Sequence, residues 1–241
     1  MDTTWIIIIA VIAFVILLCF LLAIANYSYD KFMQTYNDLN TKPINSKIST
    51  LDFINYVNQE KFSDSLEIVQ ISQLAGDAYS NKKLFLSTSS IRNSSLASFT
   101  VIAHELGHAL QDKEGKTLKR LLFMRRLGRI LGFLLAPSFI IGIVLMFLGL
   151  FLEEMLLTIG LILIGVGVGI FILALVLKLL TISIEKDASR RAIVLLEEFF
   201  TDNELRQAKK LLKDARMTYW ADFLKIILGW TAMSKKGQLF N

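Results

Sequence analysis

Three apolar runs decide what this chain can become. The first, TWIIIIAVIAFVILLCFLLAIA, covers 4–25 without a charge; a second covers about 130–152 and a third about 155–176. A bilayer core of roughly 30 Å takes about 20 apolar residues to cross as a helix. Only helices and closed barrels satisfy their own backbone hydrogen bonds there. The runs therefore predict a mostly α, integral membrane helical protein that crosses three times. Composition agrees: 54% of the 241 residues are hydrophobic, and the mean hydropathy is +0.54. A cleaved signal peptide competes for the first run, but such peptides have a basic start and a shorter apolar core. Here the start is MDTT, and the run reads as an uncleaved anchor.

Only Glu153 and Glu154 separate the second run from the third, which predicts a tight helical hairpin. Gly142 and Gly149 mark its first helix, and Gly160, Gly165, Gly167 and Gly169 its second. Small residues let membrane helices approach closely, and Gly165 with Gly169 forms a GxxxG pair. Lys113, Lys116, Lys119, Arg120, Arg125, Arg126 and Arg129 precede the hairpin; Lys178, Lys186, Arg190 and Arg191 follow it. Basic flanks stay cytoplasmic, so the N-terminus is expected outside and both flanks inside. The formal charge of +5 is thereby explained by membrane insertion, and nucleic acid is not an expected partner. The single cysteine, Cys19, forms no intrachain disulfide and leaves no thiol-based metal site.

The segment between the first and second helices is the main soluble portion. ISTLDFINYV reads as a short helix with Thr50 as its N-cap. LEIVQI and KLFLS are rich in branched and aromatic residues and read as strands. AGDAYSNKK between them carries turn residues, so a small antiparallel β hairpin is expected. A helix follows from about Ser95, with Ser94 as cap and Gly115 as stop. Beyond the third run, IEKDASRRAIVLLEEF is one amphipathic segment. TDNELRQAKKLLKDARM is the next, opened by a Thr201–Glu204 capping box. The apolar TYWADFLKIILGW near the end is either an interfacial helix or a short fourth insertion; the interfacial reading is preferred.

The soluble helix contains VIAHELGHAL, which holds both histidines of the chain. Residues four apart on a helix point the same way, about 40° apart. His104 and His108 thus offer two imidazoles to one ion, at a spacing that suits zinc. Glu105 is turned about 100° from His104; it reaches a water beside the ion rather than the ion itself. This is the HExxH arrangement of two ligands and a general base. HExxH is short enough to occur by chance, but here it has a helical context, an apolar opposite face and no competing histidine. Gly107 leaves room for another element to approach. A hydrolytic zinc takes three protein ligands and keeps one position open. No third histidine exists, so a carboxylate must complete the set. Glu153 and Glu154 lie across the membrane, and Asp112 and Glu114 point poorly. The hairpin returns the chain to the surface it left, which brings Glu185 toward the histidines. Arg190 or Arg191 is a candidate for helping an oxyanion, and KLFLS for holding an extended substrate, although membrane-flank charges and a plain hairpin strand explain them as well.

HELGHALQ together with the downstream EKDASRRA, each beside membrane helices, resembles the bacterial neutral zinc metallopeptidases of the membrane. The resemblance runs from the first anchor to about Trp220. It implies one zinc ion held by His104, His108 and Glu185, with Glu105 catalytic. More distantly the layout is similar to CAAX prenyl and heat-shock membrane proteases. In those, an aspartate four residues after the glutamate ligand completes the site; here that position is Ser189, and Asp187 or Ser189 is left to orient a ligand. Ser183 and Lys186 also depart from the family's usual proline and aromatic residue, and GDAYSN departs from its loop.

The resulting expectation is an anchor at 1–25 and a cytoplasmic zincin-like part at 26–129. A transmembrane hairpin follows at 130–180, then a cytoplasmic helical region at 181–241. The chain reads as a multi-pass, gluzincin-like zinc metalloendopeptidase of the cell membrane. It would act on a protein or peptide substrate, itself membrane-associated, at the cytoplasmic face. A catalytically silent scaffold that recruits partners, and a zinc hydrolase of a lipid-linked or other non-peptide substrate, are the competing readings.

Overall fold

Long runs of apolar residues with few breakers propagate helices well beyond the lipid-length segment. In the computed structural model of the chain, which describes residues 3–72, 76–115 and 117–227, the fold is mostly helical with one small sheet. Helix α1 spans Thr3–Asn40. The expected first anchor falls on it, where most side chains up to residue 22 lie outside the described residues. Then come α2 (Thr50–Phe62), β1 (Glu67–Ile71), β2 (Ala78–Ser80), β3 (Lys83–Ser87) and the short α3 (Thr88–Arg92). They are followed by α4 (Leu96–Lys113), α5 (Thr117–Phe151), α6 (Glu154–Leu196) and α7 (Asp202–Ile227).

Helices α5 and α6 form the hairpin. Among the described residues, these two are long and apolar enough to cross a membrane. Their outer faces carry large apolar side chains that are mostly exposed, such as Phe133 (79% exposed) and Phe151 (84% exposed); water is a poor solvent for so continuous an apolar flank. Pro137 sits inside α5 without ending it. Gly149 and Gly160 make the close approach: a methyl group on either would run into the backbone of Leu157 or Met146. The expected GxxxG pair does not serve here, since Gly165 and Gly169 face open space.

Helix α6 is one piece of 43 residues, about 65 Å long and twice a bilayer core. The segment IEKDASRRAIVLL is thus its continuation, not a separate helix. Helices run unbroken through the boundaries expected at residues 25, 129 and 180. The C-terminal half of α6 packs with α2, α4, β3 and α7 around Phe53, Leu84, Phe99, Ile102, Leu106 and Leu196, all essentially inaccessible. Thr201 and Glu204 cap α7 reciprocally as expected, and Glu204 also accepts the Asn45 amide. The end of TYWADFLKIILGW, from residue 228, lies outside the described residues, and so does any test of how it meets a membrane.

The sheet corrects one expectation. LEIVQI and KLFLS do pair, but in parallel, with Val69 opposite Phe85. The antiparallel hairpin is made instead by β2 and β3, with Tyr79 opposite Leu84, in strand order β1-β3-β2. Asn81 and Lys82 both have positive φ, 50° and 62°, the conformation of the tight turn that matches strand twist. That turn gives β3 a partner drawn from the supposed loop, and only its other edge is left for β1. KLFLS is therefore the central strand. With both edges paired it cannot take an extended substrate.

Candidate metal centre

Helix α4 is the platform. Ser95 caps it by accepting the Ser98 amide, one residue after the expected Ser94; α2 is likewise capped by Ser49, one residue before Thr50. Gly115, at φ +89°, marks the stop. Nearly every α4 side chain from Leu96 to Ala109 is buried, so the helix has little freedom to turn its histidine face elsewhere. Gly107 is where α6 crosses it: a Cβ there would collide with the Ala188 carbonyl. Glu185, one turn earlier on α6, is thereby set against the imidazoles.

His104 and His108 are each 5% exposed and Glu185 1%. Oε2 of Glu185 lies 3.3 Å from Nε2 of His104 and 3.3 Å from Nε2 of His108, and one ligand atom from each residue falls within 4.8 Å of the others. That oxygen is buried and accepts no hydrogen bond. Its partner Oε1 accepts from Nη2 of Arg125 at 2.6 Å.

The outer nitrogens of the histidines explain why this arrangement wants a cation. Gln111 donates its Nε2 to the Ile184 carbonyl and the Asp187 carboxylate, both at 2.9 Å. Its Oε1 therefore faces Nδ1 of His108, 3.0 Å away. An amide oxygen only accepts, so Nδ1 of His108 carries the hydrogen and Nε2 presents its lone pair. On the other side, the Ser189 hydroxyl spends its hydrogen on the Glu185 carbonyl. It offers Nδ1 of His104 a lone pair at 3.5 Å, with the same consequence. Three lone pairs thus converge, the carboxylate oxygen 3.3 Å from each imidazole nitrogen and all three atoms within 4.8 Å of one another, which is repulsive unless something positive lies between them. Donors about 2 Å from a tetrahedral zinc lie about 3.3 Å apart, the spacing of Glu185 from each histidine, and two imidazoles with a carboxylate are a donor set that zinc takes. Burial lowers the His108 pKa, but the nearby Glu185 and Glu105 carboxylates and Gln111 together leave it raised; without metal, a proton is drawn to the place a cation would take.

Asp187 and Ser189, the residues left over by the missing aspartate, thus each support one histidine, Asp187 through Gln111. Glu105 is buried beside His104, His108 and Glu185 and outside their cluster. Its Oε2 accepts the Tyr79 amide of β2 at 2.9 Å, and burial pushes its carboxyl pKa up. The excluded acids are occupied or remote. Asp112 accepts the Tyr79 hydroxyl and Glu114 accepts Arg191. Glu154 is about 45 Å from Glu185 along α6. Arg190 pairs with Asp187 within α6, and Arg191 bridges Asp187 and Glu114; the Arg191–Glu114 pair ties α6 to the end of α4, and both arginines are engaged by carboxylates outside the cluster.

Three contributors went unread in the sequence. Gln111 had a signal, being three residues past His108 on the same helix face. Arg125 had a misleading one, since it stands among charges that membrane insertion already explains. Tyr219 of α7 had none. With Leu212 and Arg216 it faces His104, Glu185 and Ser189 across a small cavity. Burial and then the charge of Glu185 push its phenol pKa well above the usual value.

No curated protein and no solved structure matches the chain. A family model does, over residues 7–233, a span that includes all three converging ligand groups and Glu105. The chain belongs to the family described as "putative neutral zinc metallopeptidase", a family whose chemistry calls for the metal that these donors fit.

Proposed function

We propose that the protein is a membrane-bound zinc metalloendopeptidase that binds one zinc ion through His104, His108 and Glu185 and uses Glu105 as general base. The observation that carries this reading is the orphaned Oε2 of Glu185, buried and facing two imidazole nitrogens. A zinc ion held there supplies Lewis acidity, which acidifies a water and polarises a substrate carbonyl. Ser189 and Gln111 hold the imidazoles in the tautomer that ligates. Glu105, held by the Tyr79 amide, takes the proton from the attacking water and delivers it to the leaving amine.

An extended peptide is the substrate that the surroundings favour. β2 is an edge strand, and the Tyr79 N–H on its outer side already reaches Glu105. Main-chain groups along that edge can take up a peptide by strand addition. The hairpin rooted beside the site makes a membrane-associated protein the natural source of the peptide. The basic flanks favour the cytoplasmic face for the chemistry, with the N-terminus outside.

The test is Glu105→Gln in purified protein. It keeps stoichiometric zinc and loses about 10²–10⁴-fold in peptide-bond hydrolysis. Full activity in that variant would remove Glu105 as the base. Digestion of membrane proteins, compared with lipid extracts, separates a peptidase from a hydrolase of lipid-linked substrates. A scaffold would cleave neither.

A further inference from the structure

Glu185 treats its two oxygens differently. Oε2 is left bare toward the histidines, and Oε1 is taken by Arg125 at 2.6 Å. Arg125 belongs to none of the elements that build the rest of the centre. It stands near the start of α5, the first helix of the hairpin, 60 positions before its partner. Its guanidinium is held on a second side by α7, where it lies 6.0 Å from the Tyr219 ring centroid, with Lys178 5.1 Å from the same ring. A planar guanidinium fixed by a carboxylate and an aromatic ring has a defined direction, which a flexible ammonium lacks.

We infer that Arg125 is a positioning residue for the metal: it commits Glu185 to ligation through Oε2 alone and ties the helical hairpin to the centre. This rests on the three-ligand reading above. A carboxylate with both oxygens available can ligate through both, and the second oxygen then competes for the coordination position that hydrolysis needs open. With Oε1 engaged by Arg125, that second oxygen is withheld. Arg125 also supplies the positive charge that keeps a buried Glu185 in place before any metal arrives. An uncompensated buried carboxylate would otherwise be costly and would pull toward solvent or a proton. The hairpin helix thereby contributes a residue to the chemistry, and its packing on α6 sets more than membrane attachment.

The experiment uses the full chain purified in detergent: wild type, Arg125→Gln, Arg125→Lys, Glu185→Ala, and Arg126→Gln as an exposed neighbour. Zinc affinity is read by chelator competition. The coordination of substituted cobalt(II) is read from its visible absorption, which is strong for four-coordinate and weak for five-coordinate ions. Arg125→Gln is expected to weaken zinc by about 10- to 100-fold, the range for losing a group that orients a ligand. Its cobalt spectrum should lose intensity as Oε1 joins the metal. Arg125→Lys should recover part of the affinity, and Arg126→Gln should match wild type. If Arg125→Gln does not fold, Arg125→Lys decides by the same two readouts, since it keeps the charge and loses the fork.

Wild-type affinity and an unchanged cobalt spectrum in the Arg125 variants would overturn the inference and leave the metal centre standing. A loss in Arg126→Gln as large as in Arg125→Gln would also overturn it, as a general charge effect. Wild type that takes up no zinc, or Glu185→Ala that binds as tightly as wild type, would overturn the three-ligand reading itself and the inference with it.

Discussion

A helix that presents two histidines needs their outer nitrogens settled before the inner ones can ligate. Here that task falls to an amide and a hydroxyl. Gln111 is the more consequential of the two, because its own orientation is enforced by Ile184 and Asp187. Gln111→Ala should weaken zinc binding by about 10- to 100-fold, measured by chelator competition, and Gln111→Glu should weaken it too, because its second oxygen would face the Ile184 carbonyl and the Asp187 carboxylate that now accept from the amide. Wild-type affinity in both variants would mean that Gln111 does not orient His108. Side chains with a local sequence relation to the motif were legible at this scale: His104, Glu105 and His108 from spacing alone. Arg125 was not, because the sequence offers an equally good reason for an arginine at that place. Its partner, 60 positions away, is brought to it only by the turn of the hairpin.

Between elements, the decisive contact is α4 on α6. Gly107 lets the Ala188 carbonyl rest where a side chain would be, and Glu185 reaches the histidines because of it. The lack of a side chain at Gly107 marked room for a neighbour; the sequence did not say which neighbour. Gly107→Val is expected to push the helices apart, abolish stoichiometric zinc and destabilise the protein by about 1–3 kcal/mol, as overpacking does. Metal analysis with thermal unfolding in detergent checks both effects. Retained zinc in that variant would show that α6 can deliver Glu185 from a greater distance. The hairpin glycines divide in the same manner. Gly149 and Gly160 are contact points and Gly165 and Gly169 are not, although the latter pair carries the familiar spacing. Spacing states which residues share a helix face, but only the partner helix states which face is used. The sheet shows the same limit: residues with strand character were recognisable, whereas their parallel pairing depended on a three-residue strand inside what reads as a turn.

For the molecule as a whole, the length of α6 joins the apolar hairpin and the candidate centre in one continuous helix. Its first half carries the apolar flank and its second half Glu185, so Glu185 is held at a set distance along the helix from the turn at Glu153. The orientation proposed from the basic flanks predicts the outcome of impermeant thiol labelling in a Cys19→Ala background. Glu153→Cys should be labelled from outside intact cells, and Asp202→Cys only after the membrane is opened. The reverse pattern would place the centre on the other face without altering its geometry. The sequence by itself determined the helical character, the two histidines with their glutamate, and the return of a carboxylate from beyond the hairpin. Those follow from local periodicity and from a tight turn that sends the chain back along itself. Only the tertiary structure decided that one oxygen of Glu185 stays bare while Arg125 takes the other. It also decided that Gln111 and Ser189 set the tautomers and that β2 shields Glu105. Those are contacts between elements far apart in the chain, chosen by packing, and packing leaves no periodic trace in a single sequence.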